Sequence, residues 1–261
     1  MRGDMRDEGP EEASADGVAG AGSETRAETP EQTWEEVAPA VWRCRLPGWD
    51  ETVGAVAGAR EALLVDAGPS RRAGAAVAAR LRDLLGPPVR RVVLTHPHFD
   101  HVLGVAAFPG AEVYGSAGLG RYLADAPVVD EALAHGLDPR DAKPDALAGL
   151  RVTDVTGETA LDLGGGRRAV LVPLGAAHSP HDLAVLVPGT PPVVFCGDLV
   201  EESGEPQAGP DARPEAWPAA LDRLLALGGP AARYVPGHGA VVDAAFVRAQ
   251  RRELAERFGV G

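Results

Sequence analysis

Three of the chain's seven histidines fall within six residues, in the string Thr95-His96-Pro97-His98-Phe99-Asp100-His101. Imidazole nitrogen and carboxylate oxygen together suit zinc, iron or manganese. A His-x-His pair leaving a strand turns both rings to one side, because alternate residues of an extended segment share a face. Asp100 and His101 belong to the next turn and can serve a second ion beside the first. The alternative, a polar loop of solvated histidines, sits poorly with a loop that follows the apolar run Val92-Val93-Leu94 directly.

The elements that must hold this loop are legible around it. Residues 37–44, 52–57 and 62–65 are predicted as successive strands, with turns at Pro47-Gly48 and Gly58. Residues 71–85 carry Val77, Leu81, Leu84 and Leu85 at helical spacing, and Gly86-Pro87-Pro88 stops that helix. Residues 92–94 form a short buried strand running into His96. A second block of strands is predicted at 152–155, 169–172, 183–187 and 193–195. Helices at 214–227 and 243–258 flank the turn Pro236-Gly237-His238-Gly239. Strands interleaved with helices predict sheets covered by helices, an α/β sandwich. Periodicity alone fixes neither strand order nor direction.

The 261 residues suffice for one large domain with a substantial core. A net charge of −13 argues against a nucleic-acid partner, since phosphate binding needs a basic surface. Residues 1–33 hold nine acids against three arginines and almost no large apolar side chain. Such a stretch buries too little surface to offset its ordering entropy, so it is expected to be a disordered acidic leader, with the folded catalytic domain spanning 34–261. Cys44 and Cys196 are too few for a disulfide framework and read as two buried thiols. The sequence shows no membrane-length apolar run, and the expectation is a soluble cytoplasmic protein without a signal peptide, acting on a small molecule; the oligomeric state is not legible.

The string Thr-His-x-His-x-Asp-His resembles the signature of the metallo-β-lactamase fold superfamily. Four further motifs follow that family's order. Leu64-Val65-Asp66-Ala67-Gly68 is similar to its early strand motif, and His178 before Ser179-Pro180 to its third histidine. Cys196-Gly197-Asp198 is similar to the segment supplying a bridging aspartate, and Pro236-Gly237-His238-Gly239 to the last histidine turn. The match spans about 37–240. The resemblance implies a four-layer αβ/βα sandwich with its site at one edge, between the sheets. It implies that His96, His98 and His178 hold one metal, that Asp100, His101 and His238 hold another, and that Asp198 bridges them. The metals implied are two Zn2+, with Fe or Mn as alternatives. A hydroxide between two cations, formed because they lower the pKa of bound water, would attack an acyl carbonyl, and Asp100 or a bound water would pass the proton to the leaving group.

Asp66 either fixes a ligand histidine by hydrogen bonding or caps the turn before the helix at 71. His181 either lines the mouth of the site or is an exposed histidine. Glu201 and Glu202 are either substrate contacts or solvated acids. Trp217 is either a pocket wall or a core residue, and His135 reads as a surface residue without a partner. The aspartate at 198, where some true β-lactamases of the superfamily carry cysteine, resembles the general hydrolases. Only 23 residues follow His238, which departs from the hydroxyacylglutathione hydrolases and their larger C-terminal helical domain. The leading expectation is therefore a dinuclear zinc hydrolase of an ester, thioester or lactone, with Asp100 catalytic and His181, Glu201 and Trp217 near substrate. The alternative is a mononuclear iron oxidoreductase of the persulfide dioxygenase type. A non-catalytic binding protein is disfavoured by the retention of all seven ligands.

Overall fold

The computed structural model describes residues 33–143 and 145–260; the expected acidic leader lies almost wholly outside them. The first sheet runs in chain order through β1 (Trp34–Ala38), β2 (Val41–Arg45), β3 (Thr52–Ala57), β4 (Ala62–Val65), β5 (Val89–Val93), β6 (Glu112–Ser116) and β7 (Val152–Val155). Its first four strands are antiparallel neighbours, and β4 to β7 are parallel. The parallel steps need crossovers, supplied by α1 (Arg71–Leu84), by the short helix α2 (Phe99–Val102), and by α3 (Leu119–Asp125) and α4 (Val128–Ala134). The second sheet has the spatial order β12-β11-β10-β9-β8, from β8 (Thr159–Gly164), β9 (Arg167–Gly175), β10 (Asp182–Val187), β11 (Val193–Phe195) and β12 (Arg233–Val235). Helices α5 (Trp217–Gly228) and α6 (Ala244–Phe258) cover its outer face.

The layering follows from strand alternation. In β4, Ala62 and Leu64 pack with Val77, Leu81 and Leu103 under the helices, whereas Leu63 and Val65 face the second sheet. There they meet Leu163, Leu171, Val185 and Phe195. A third apolar layer, with Trp217, Leu221 and Leu224, seals the second sheet against its helices. Strands buried on both faces read as continuous apolar runs, as 62–65 and 193–195 do. The result is the expected four-layer α/β sandwich.

Two readings needed correction. Residues 37–44 are not one strand: β1 and β2 form a hairpin pairing Ala38 with Val41. Pro39 lacks the N–H a continuing strand needs, and Ala40 turns the chain at φ 60°. The helix expected from 214 begins as a α-helix at Trp217, after a 3₁₀ turn at Pro214–Ala216. Strands β6, β8 and β12 and helices α3 and α4 went unread in the sequence. The fold converges on one edge. Parallel pairing sends the carboxyl ends of β4 and β5 to the same side, and likewise those of β11 and β12. β10 runs antiparallel to β11, so the β9–β10 turn arrives at that side too.

Candidate metal centre

Each of those strand ends delivers one functional segment. β4 leads to Asp66, β5 to residues 95–101, the β9–β10 turn to His178, β11 to Asp198 and β12 to His238. Close backbone approach fixes two positions. A Cβ on Gly237 would lie 1.8 Å from Asp198 Oδ1, so only glycine lets the His238 turn pass the aspartate. Gly197 adopts φ 53°, and a Cβ there would press on Thr95 and His96.

Five histidines converge, and each has one ring nitrogen tied to the protein. His96 Nδ1 meets Thr95 Oγ1 at 2.9 Å, and that hydroxyl donates to Asp66, so it accepts from the ring. His101 Nδ1 donates to Asp66 at 3.0 Å, His178 Nδ1 to the Gln207 carbonyl at 3.1 Å and His238 Nδ1 to the Trp49 carbonyl at 2.7 Å. His98 is reversed: its Nε2 meets Asp211 at 3.3 Å and its Nδ1 faces inward. Carbonyl and carboxylate partners only accept, so these bonds set the tautomers and leave five ring nitrogens turned toward one another.

The inward atoms form two groups sharing Asp198. His96, His98, His178 and Asp198 offer ligand atoms within 4.8 Å of one another, as do Asp100, His101 and His238. Asp198 Oδ2 lies 3.4 Å from His178 Nε2 and 3.4 Å from His238 Nε2, and its Oδ1 lies 3.2 Å from His101 Nε2. Asp100 Oδ2 is 3.3 Å from His238 Nε2 and 3.4 Å from His101 Nε2. The donor set fits divalent cations. His98 Nδ1 and His178 Nε2 stand 2.9 Å apart, lone pair toward lone pair in these tautomers, and a cation relieves that repulsion. His96 Nε2 and Asp198 Oδ1 are buried with no hydrogen-bond partner, a costly arrangement unless a cation is the intended one.

On the protein's own charges the two groups differ in part, for in the first group burial opposes charge on His98 but Asp211 and Asp198 outweigh it and raise its pKa. Burial pushes His178 down to about 4 and His96 well below the usual imidazole range. Burial also opposes charge on His101 and His238, yet Asp198 outweighs it with Asp100, raising His238 to about 11 and His101 well above its usual value. Buried as they are, Asp100 and Asp198 are held far below the ordinary carboxylate range, with the His101 charge the main cause.

The residues left open in the sequence take definite places. Asp66 accepts from the Thr95 N–H and hydroxyl and from His101, while Ser70 caps α1, so the aspartate braces the cluster. Trp217 is fully buried, donates to the Leu199 carbonyl and sets its ring 5.2 Å from that of His178, backing the histidine from the core. Glu201 stands with Asp198 and His238 in a further group of potential ligands. Glu202 accepts from the Ala240 N–H at 2.6 Å and braces the His238 turn. His135 is exposed, yet it has a partner after all: it stacks on Phe99, 5.5 Å between centroids. Both cysteines are buried and free, and burial raises Cys44 to about 11. Sequence reasoning missed Glu51, Tyr122 and Asp211, none of which stands in a recognisable motif.

Beside the centre lies a cavity of about 540 Å³ lined by Gly118, Arg121, Tyr122, Asp125, Pro127 and His181. Tyr122 donates to Asp211 at 3.3 Å, which links this cavity to His98. His181, half-buried and 5.3 Å from the Tyr122 ring, therefore lines the approach. No helix among the described residues is long and apolar enough to cross a membrane.

Similar architectures occur among solved structures. TMB-1 shares 20% identity at a TM-score of 0.67, covering 88% of this chain and 99% of its own. The metallo-beta-lactamase FIM-1 from Pseudomonas aeruginosa, in a mono-zinc form, shares 22% at a TM-score of 0.66, covering 88% and 97%. The DIM-1 metallo-beta-lactamase shares 20% at 0.67, covering 88% and 99%. At these identities the likeness establishes the fold. The sequence carries it further: residues 46–238 match the family described as the metallo-beta-lactamase superfamily, and the chain belongs to that superfamily.

Proposed function

We propose that this protein is a metal-dependent hydrolase with two zinc ions, acting on an ester, thioester or lactone of a small metabolite. The observation carrying the reading is the set of five imidazoles, each anchored through one nitrogen and turning the other toward Asp198. His96, His98 and His178 would hold one cation, Asp100, His101 and His238 the other, with Asp198 shared. Two bound divalent cations bring the pKa of water toward neutrality and polarise a carbonyl, with iron or manganese as alternatives to zinc.

The chain's own residues supply the rest. Thr95, Asp66, Asp211 and the Gln207 and Trp49 carbonyls hold the rings in their tautomers. Asp100 receives and returns the proton that the reaction moves to the leaving group. The burial of His96, His101 and Asp100 excludes bulk water. The cavity at Tyr122 and His181 would take the acyl substrate, and Glu201 stands where it can meet the leaving group. Its size suits a small molecule rather than nucleic acid.

His96→Ala and Asp100→Ala should each lower metal content and abolish turnover, and unchanged activity in both would refute the site. A screen of the metal-loaded enzyme against lactones, thioesters, phosphodiesters and β-lactams assigns the substrate class. One iron per chain with oxygen uptake on glutathione persulfide would replace this reading with the oxidoreductase.

A further inference from the structure

Glu51 lies just before β3, in the segment whose Trp49 carbonyl holds His238. Its backbone pairs with His238 as an antiparallel bridge, and the next residue, Thr52, donates to the Gly237 carbonyl at 2.7 Å. The side chain is 0% exposed, and neither carboxylate oxygen has a hydrogen-bond partner among the described residues. Burial raises its carboxyl to about 8, Asp100 adds to the rise, and His101 and His238, the rest of the set assigned to the second cation, oppose it.

A fully buried carboxylate without a donor is among the costliest arrangements a protein can hold, so it either takes up a proton or is matched by a positive charge beside it. Glu201 gives the contrast. It also bridges to His238, from the other side, but it is partly exposed and accepts from the Ser203 hydroxyl at 3.0 Å. Glu51 has no such alternative. Its oxygens fall outside the groups of atoms close enough to share one ion, which places it beside the site.

We propose that Glu51 is a positioning residue of the second metal position: a buried negative charge that holds the cation between Asp100, His101 and His238 and favours oxygen-seeking cations there. The proposal rests on the two-cation reading above. Carboxylate-rich surroundings favour manganese relative to purely imidazole surroundings, so the residue would bias the metal as well as retain it.

The test is stepwise metal binding to the full chain, stripped with chelator and titrated with zinc, manganese or cobalt by calorimetry and chelator competition. Wild type should take two equivalents. In Glu51→Gln the second should bind about 10- to 100-fold more weakly, with the first unchanged and the manganese-to-zinc preference lowered. The cobalt absorption of the second equivalent should change with it. Metal-free Glu51→Gln should unfold at the same temperature as wild type at neutral pH, because burial raises the carboxyl to about 8 and the side chain is already mostly neutral without a cation; loss of a structural role would instead lower that temperature. Glu51→Met, uncharged and of similar volume, repeats the test if the amide variant folds poorly. Two equivalents bound equally tightly by wild type and variant would overturn this proposal alone. A wild type that binds a single equivalent would overturn the two-cation reading and this proposal together.

Discussion

The two halves of the candidate metal centre are built from different chemistry. The half around His96, His98 and His178 is all imidazole; burial drives His96 and His178 toward neutrality, whereas Asp211 holds His98 above its usual value. The half around Asp100, His101 and His238 adds a carboxylate of its own and has Asp66, Glu51 and Glu201 around it. There the rings are driven toward the charged form. An imidazole set discriminates by geometry and ligand softness, whereas a set with carboxylates also attracts by charge. The difference teaches that the two positions should separate in affinity, in metal preference and in response to mutation. Asp198 is the group both are proposed to share.

The largest effect should follow from removing that shared group. Asp198→Ala should lose both cations and all turnover, measured by metal content and activity. It should also lose the stabilisation that metal confers. A cation at a thousand times its Kd stabilises a fold by about 4 kcal/mol, on the order of ten degrees in unfolding temperature for a domain of this size. Wild type should show that rise on adding zinc, and Asp198→Ala should not. A variant that kept one tightly bound cation would show that one half stands alone.

Asp66→Asn should come next, because its carboxylate both orients His101 and anchors Thr95, which in turn orients His96. Removing such outer partners of metal ligands costs about 10- to 100-fold in affinity or activity. The second position should suffer most, since its ring is held directly. Equal loss at both positions would make the Thr95 link as important as the His101 bond. Asp211→Asn should act on the first position alone and near the tenfold end, because its bond to His98 is 3.3 Å long and partly open to water. Calorimetric titration of both variants separates these outcomes.

This contrast also explains how much was readable beforehand. The seven proposed ligands were legible because they sit in short strings at strand ends, and strand pairing brings strand ends together. Asp66 was legible as a choice between two roles, and only the placement of Ser70 at the head of α1 decided it. Asp211 and Glu51 were not legible. Each acts through a contact set by tertiary packing, 113 residues apart in the case of His98 and Asp211. In the fold, the apolar runs of β4 and β11 announced strands buried on both faces. β8 and β12 did not, because β8 carries an aspartate at its centre and β12 is three residues long. α3 and α4 have seven residues each, too few for a helical period to stand out.

The smallest effect expected is at His135. Its ring stacks on Phe99, whose other contact is the edge of Trp49 at 5.2 Å, so the three rings clamp the metal loop to the segment carrying the Trp49 carbonyl. His135 is exposed, and an exposed aromatic contact is worth about 0.5–1 kcal/mol at most. His135→Ala should therefore lower the unfolding temperature by only a few degrees. Because Phe99 keeps Trp49 when His135 is removed, the His238 anchor should hold and both metal affinities should stay as in wild type. Selective weakening of the second cation would show that this outer stack also fixes the Trp49 carbonyl, and would extend the carboxylate-rich half of the centre as far as α4.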